Sequence, residues 1–172
     1  MADPTLTTVF LDRDGVLNVK APEREYVESW DDFEWLPGAV DAVARLRGAG
    51  LRAVVVTNQR GVALGRMSAA SVQDIHARMI SEGLDVDRIY YCPHESGECD
   101  CRKPLPGMLE RAAREVPGVS LGRAAAVVGD SESDMEAGRA VGAVLVKVGD
   151  AASPVDFACG SLAEAVDWLL AR

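Results

Sequence analysis

Short runs of apolar and β-branched residues alternate along the chain with segments whose apolar positions recur every three or four residues. The runs are residues 6–12 (LTTVFLD), 51–57 (LRAVVVT), 123–130 (RAAAVVGD) and 143–149 (AVLVKVG), with 88–92 (RIYYC) a weaker fifth. Near-continuous apolar runs suit strands buried on both faces of a parallel sheet. Between them, helical periodicity predicts helices over 38–50, 68–84, 106–116, 133–142 and 161–172, with Ser68 as a cap and Pro106 opening the third. Strand followed by helix throughout predicts an α/β fold, a doubly wound, Rossmann-like parallel sheet with helices on both faces. Ligands bind such sheets outside the carboxyl ends of the strands.

Those strand ends carry the chemistry. The first stops at DRDG, where Asp12 and Asp14 leave the same side of an extended chain and their carboxylates converge. Such a pair calls for a hard cation such as Mg²⁺ or for split acid and nucleophile roles, unless the segment is simply a turn. The second strand ends at TNQRG (57–61), which offers a hydroxyl, amides and backbone N–H groups to an anion. A further strand ends at GDSESD (129–134), with Asp130 as a candidate metal ligand and Ser131 and Ser133 as helix caps. Lys103, just ahead of the helix from 106, is a mobile point charge able to hold a phosphoryl group.

A second cluster lies in YCPHESGECDCRKP, 91–104. Cys92, His94, Cys99 and Cys101 form a C-x-H-x4-C-x-C arrangement that supplies four tetrahedral zinc ligands, with a disulfide as the alternative.

Composition narrows the partners. The 172 residues suit one domain, 1–172, with only one helix and an irregular flap (18–36) between Asp14 and Thr57, hence no cap domain. The net charge of −9 disfavours nucleic acid and membrane surfaces. No segment approaches the roughly 18 apolar residues of a membrane span. Nothing at the N-terminus argues for export, so the cytoplasm is the expected location; the chain is also expected to be a monomer. Yet Arg13, Arg60, Arg66, Arg102 and Lys103 gather in loops, which favours a small anionic ligand. Residues 1–4 and the stretch near GDAASP are the expected mobile pieces. His76, in a helical pattern with Val72, Ile75 and Met79, is expected half-buried at the surface, and Cys159 as a small packed side chain.

FLDRDGVLN, VVVTNQRG, CRKP and GDSESDMEAG, in that order, resemble the haloacid dehalogenase superfamily of phosphohydrolases. The match is to its capless branch of D,D-heptose 1,7-bisphosphate and histidinol-phosphate phosphatases, and it runs nearly end to end. The resemblance implies a phosphatase with Asp12 as nucleophile, forming an aspartyl-phosphate, and Asp14 as general acid and then base. It implies Mg²⁺ on the Asp12 carboxylate, the Asp14 backbone carbonyl and Asp130, and structural Zn²⁺ on Cys92, His94, Cys99 and Cys101 in a loop insertion. Thr57 and Lys103 would stabilise the phosphoryl oxygens. Arg13, Tyr26, Asn58, Gln59, Arg60, Arg102 and Ser131 would bind the rest of a small phosphorylated sugar. The substrate implied is D-glycero-D-manno-heptose 1,7-bisphosphate, hydrolysed at the 7-phosphate, with histidinol phosphate or a broader set of sugar phosphates as the alternative.

Three features depart from that branch: a short cysteine loop, a longer flap, and Ser131 where a lysine often follows the metal-binding aspartate. All three touch the rim of the site rather than its chemistry. Trp30, Phe33 and Trp35 of the flap are expected to pack it onto the core. A receiver-like signalling module also uses Asp, Thr and Lys on a similar fold. It would, however, carry its phosphoacceptor after the third strand rather than the first.

Overall fold

The computed structural model describes residues 5–172. Residues 1–4, one of the two expected mobile pieces, lie outside the described residues. Strands β1 (Thr8–Leu11), β2 (Arg52–Asn58), β3 (Arg88–Cys92), β4 (Ala125–Gly129), β5 (Val144–Val148) and β6 (Phe157–Cys159) form one sheet in the order β3-β2-β1-β4-β5-β6. All neighbours are parallel. Parallel neighbours need crossovers, and these are α1 (Ala39–Gly48), α2 (Ala69–Ser81), α3 (Gly107–Glu115) and α4 (Glu132–Ala140), with a loop before β6 and α5 (Leu162–Leu170) after it.

Period-two alternation sorts the apolar strand residues between two helical layers. Val9, Leu11, Ala53, Val55, Ala126, Val128, Val144 and Val146 pack with α1, α2 and α5. Phe10, Val54, Val56, Ala125, Val127 and Leu145 pack with α3 and α4. Both faces of the sheet are therefore covered, which is why its strands read as continuous apolar runs. Truncating a wholly buried side chain such as Leu46, Ile75 or Leu109 to alanine costs about 2–5 kcal/mol.

The chain builds outward from β1 through β2 to β3, then returns to the other side of β1 for β4. The switch point, where the first crossovers diverge and open a crevice, lies between the carboxyl ends of β1 and β4. Asp12 and Asp130 each follow one of those ends directly.

Caps form as expected: Ser68 Oγ accepts from the Ser71 N–H at 3.0 Å and Ser161 Oγ from the Glu164 N–H at 3.3 Å. Three features were not expected. β6 is a three-residue edge strand, too short to show an alternation, and Cys159 is its last residue. A 3-10 turn at Gly122–Ala124 occupies the start of the run expected to be strand from 123, and another at Trp30–Asp32 lies in the flap. The flap itself is pinned at its base, where Asn18 bridges to Asp14 and Trp35. Trp30 stacks on Phe33 at 4.7 Å, Phe33 meets Trp35 edge-on at 4.8 Å, and all three pack against the core as expected. Among the described residues no helix is long and apolar enough to cross a membrane.

Candidate active site

At the switch point a cleft of about 540 Å³ is lined by Asp12, Asp14, Lys103, Asp130 and Ser131 on its floor. Its rim is built from the flap, the loop after β2 and the cysteine loop, and among the described residues no cap stands over it.

The floor is organised around Lys103, which is 3% exposed. Its Nζ donates to Asp12 Oδ1 at 2.8 Å, to Asp134 Oδ1 at 2.5 Å and to the Val56 carbonyl at 2.7 Å, using all three N–H groups. Asp134 is held in turn by the Ser131 N–H and hydroxyl on Oδ2, at 3.0 and 2.6 Å, closing a capping box at the start of α4. Gly129 is required here, because a Cβ on it would overlap the Asp134 side chain. Burial, then the Asp134 charge, pushes Asp12 up to about 7 despite Lys103, so a cation placed beside it would favour its ionised form. Burial alone would lower Lys103, but Asp12 and Asp134 together push it upward.

Asp14 has different surroundings. Arg13 Nη2 reaches both its oxygens, at 3.1 and 3.3 Å, Asn18 Nδ2 donates to Oδ1 at 2.9 Å and Gln59 Nε2 to Oδ2 at 3.0 Å. Burial opposes ionisation, but the Arg13 charge and these donors outweigh it and hold the carboxyl below its ordinary value. The two carboxylates of the DRD motif thus differ: one is raised beside a lysine, the other depressed beside an arginine.

Asp12, Asp130 and Asp134 each offer an oxygen within 4.8 Å of the others. Asp134 already serves Lys103 and Ser131, whereas Asp130 Oδ1 is buried with no partner among the described residues. An orphaned buried carboxylate oxygen beside a raised one fits a hard divalent cation. Gly15, at φ +85°, permits this approach, since a Cβ there would come within 2.5 Å of Asp130 Oδ2. Lys20 from the flap donates to that Oδ2 at 2.7 Å, and buried Lys147 donates to the Asp130 carbonyl at 2.7 Å.

The second cluster also assembles. Cys92 Sγ lies 3.5 Å from His94 Nδ1 and from Cys99 Sγ, and Cys101 Sγ lies 3.3 Å from His94 Nδ1 and 3.4 Å from Cys99 Sγ. All four cysteines are free, so the disulfide alternative does not hold. These separations are close to the edges of about 3.5–3.8 Å expected of a tetrahedral zinc site. The Gln59 N–H donates to the Cys92 carbonyl at 2.7 Å, and Asn58 exchanges two hydrogen bonds with the Lys103 backbone, at 2.9 and 3.0 Å. The cysteine loop and the end of β2 are therefore one unit, with Lys103 at their junction.

Tyr26, Asn58, Gln59, Arg60, Arg102 and Ser131 line the cleft as expected. Arg60 is paired with Glu95 at 2.8 Å, and Arg102 reaches the His94 carbonyl at 3.4 Å. Arg66 pairs with Glu28 instead. Two expectations are corrected. Arg13, expected to touch substrate, is 0% exposed and lies beneath Asp14. His76, expected half-buried, is 8% exposed and its Nε2 lies 3.3 Å from Arg13 Nη1. Thr57 is 1% exposed and its hydroxyl accepts from Gln59 Nε2 at 3.0 Å, next to the floor rather than on it. Sequence reasoning left Asp134, Lys20, Arg24 and Lys147 without a role. Asp134 was visible in the motif of Asp130, whereas nothing in the pattern of the flap marks Lys20.

An Asp pair after the first strand, a clamped lysine and a further aspartate across the switch point define a phosphoryl-transfer hydrolase on an α/β fold. Comparison with known proteins agrees: residues 6–142 match the haloacid dehalogenase-like hydrolases, and the chain belongs to that family. It is 45% identical over 148 residues to D-glycero-beta-D-manno-heptose-1,7-bisphosphate 7-phosphatase of Pseudomonas putida, covering 82% of each chain. It is 43% identical over 159 residues to the D-glycero-alpha-D-manno enzyme of Mycobacterium bovis, covering 84% of this chain and 80% of that one. Among solved structures it resembles D,D-heptose 1.7-bisphosphate phosphatase from B. bronchiseptica complexed with magnesium and phosphate. The TM-score is 0.85 and the identity 35%, over 96% of this chain and 99% of the other.

His76 has a consequence for stability. Burial first, then Arg13, pushes its ring down to about 3, with Asp14 opposing. The unfolded chain takes up a proton here as pH falls through about 6.5, whereas the folded chain does not until about 3. The stability contributed by the neutral ring is thus full above about pH 6.5 and is lost progressively below it. Between about pH 7 and pH 4.5 the wild type should lose about 2 kcal/mol more than His76→Gln, read from denaturant unfolding at each pH. Equal losses would contradict the assignment of a buried neutral ring.

Proposed function

We propose that the chain is a Mg²⁺-dependent phosphatase that works through an aspartyl-phosphate on Asp12 and removes the 7-phosphate of D-glycero-D-manno-heptose 1,7-bisphosphate. The observation that carries this reading is the grip of Lys103 on Asp12 beside the unpartnered Asp130 oxygen, at the floor of an open cleft.

Asp12 attacks phosphorus through a carboxylate oxygen, and the bond from phosphorus to the sugar oxygen breaks. The leaving oxygen takes a proton from Asp14; water then attacks the phosphoenzyme, gives its proton to Asp14, and releases inorganic phosphate as the Asp12–phosphorus bond breaks. Because Asp14 is held ionised in the free protein, it is ready for the base step and must acquire a proton for the acid step. The phosphate ester, with a second pKa of about 6, can deliver one. The Lys103 charge stabilises the transferring oxygens, whereas Thr57, buried beside the floor, holds the Gln59 amide that supports Asp14. Asp12, Asp130 and the Asp14 backbone carbonyl would hold Mg²⁺, which neutralises charge between the nucleophile and the phosphate when bound.

Four basic side chains from three segments, Lys20, Arg24, Arg60 and Arg102, stand around the rim. This suits a substrate with a second anionic group beyond the one being hydrolysed, as a bisphosphate has. Relatives named for both anomers match at similar identity, 45% and 43%, so overall similarity does not choose between the anomers. Cys92, His94, Cys99 and Cys101 would bind a structural Zn²⁺ that fixes Arg102 and Lys103 over the phosphate.

Phosphate release should be measured on both anomers of the heptose bisphosphate and on histidinol phosphate, with Mg²⁺ and with a chelator. At least about tenfold higher kcat/KM on a heptose bisphosphate, abolished by the chelator, is expected. Preference for histidinol phosphate would replace the substrate named here. In parallel, Cys99→Ser should lower zinc content and turnover together, with no rescue by added Mg²⁺. Full activity in zinc-free protein would separate the cysteine cluster from the phosphate site.

A further inference from the structure

Beneath the cleft a buried chain of contacts runs from α2 to Asp14. Arg13 is wholly buried, and a single nitrogen, Nη2, serves both Asp14 oxygens. A guanidinium that meets a carboxylate through its two-nitrogen fork is fixed by that contact, but one that meets it through one nitrogen can pivot about it. The other terminal nitrogen, Nη1, meets His76 Nε2 at 3.3 Å, while Nε has no partner among the described residues. His76 is therefore the polar contact that, with the packing around a wholly buried side chain, limits the pivot. It comes from the buried face of α2, beside Val72, Ile75 and Met79, and its ring meets Tyr91 of β3 edge-on at 5.7 Å. Arginine can only donate, so this bond requires an unprotonated Nε2 and places the ring proton on Nδ1.

We propose that His76 is a positioning residue for phosphoryl transfer, holding the Arg13 guanidinium, and through it the Asp14 carboxylate, where that carboxylate exchanges protons with the leaving oxygen and with water. This rests on the reading of Asp14 as acid and base. The ring touches neither substrate nor metal ligands, so its loss acts on the reaction step and leaves the cleft's binding groups in place.

The test compares His76→Phe, which keeps a ring against Tyr91 without the acceptor, with His76→Gln, whose carbonyl restores one. His76→Met serves as a second acceptor-poor variant should the phenylalanine fail to fold. On the preferred heptose bisphosphate, His76→Phe or His76→Met should lower kcat about tenfold with KM changed less than about twofold. His76→Gln should return to within about threefold of wild type. Wild-type kcat in the acceptor-poor variants, equal losses in all three, or a change confined to KM would overturn the proposal. Asp14→Asn separates the two levels. If it turns over like wild type, the acid–base reading of Asp14 is wrong; if it collapses while His76→Phe does not slow, only the role of His76 is wrong.

Discussion

The site depends on one buried cation. Lys103 sits beneath the switch point of the sheet with all three of its N–H groups committed, two to carboxylates and one to the Val56 carbonyl of β2. Two carboxylates share one ammonium, which leaves a net negative charge in a region from which water is largely excluded. Taking such charges from water is costly, and removing one member of a buried set typically destabilises by about 3–5 kcal/mol. A protein that maintains this arrangement leaves a place for one more positive charge. The orphaned Asp130 oxygen and the raised Asp12 are the two local signs of it.

The rest of the architecture delivers the members of that set. β1 and β4, adjacent and parallel, bring Asp12 and Asp130 together across the crevice, and Gly15 keeps the approach open. The start of α4 turns Asp134 back onto Lys103 through the Ser131 cap. The end of β2 and the cysteine loop hold the Lys103 backbone from both sides, through Asn58 and through the chain that leads from Cys101. The neighbouring carboxylate of Asp14 is insulated from this set by its own cation, Arg13. One fold thereby gives two aspartates two residues apart opposite electrostatic settings, the condition for dividing nucleophile from acid and base.

Much of this was legible in the sequence because strand ends in a doubly wound sheet are places where chemistry collects. The apolar runs marked five strands, and the residues that end them marked Asp12, Thr57 and Asp130; the cysteine spacing marked the second cluster. Other parts depended on directions that a one-dimensional pattern does not hold. Arg13 lies between two exposed-looking aspartates, and only the fold shows that it turns inward beneath Asp14. His76 shared a helical stripe with Val72, Ile75 and Met79, so its burial could have been read from periodicity, but its partner could not. β6 is three residues at an edge, partly exposed along its length, and has no run to betray it. Lys20 reaches Asp130 from the flap across 110 positions of sequence, a contact set by tertiary structure alone.

The most direct measurement of the account maps the phosphorylated residue. The protein, mixed with its preferred phosphate ester and Mg²⁺ and quenched in acid within the turnover time, should carry a phosphoryl group on the peptide bearing Asp12. Peptide mass spectrometry should find that group, and Asp12→Asn should show neither the adduct nor turnover. Phosphate release at the wild-type rate by Asp12→Asn, with reversion to aspartate excluded, or an adduct on any other residue, would contradict the assignment of Asp12 as the group that Lys103 holds for attack.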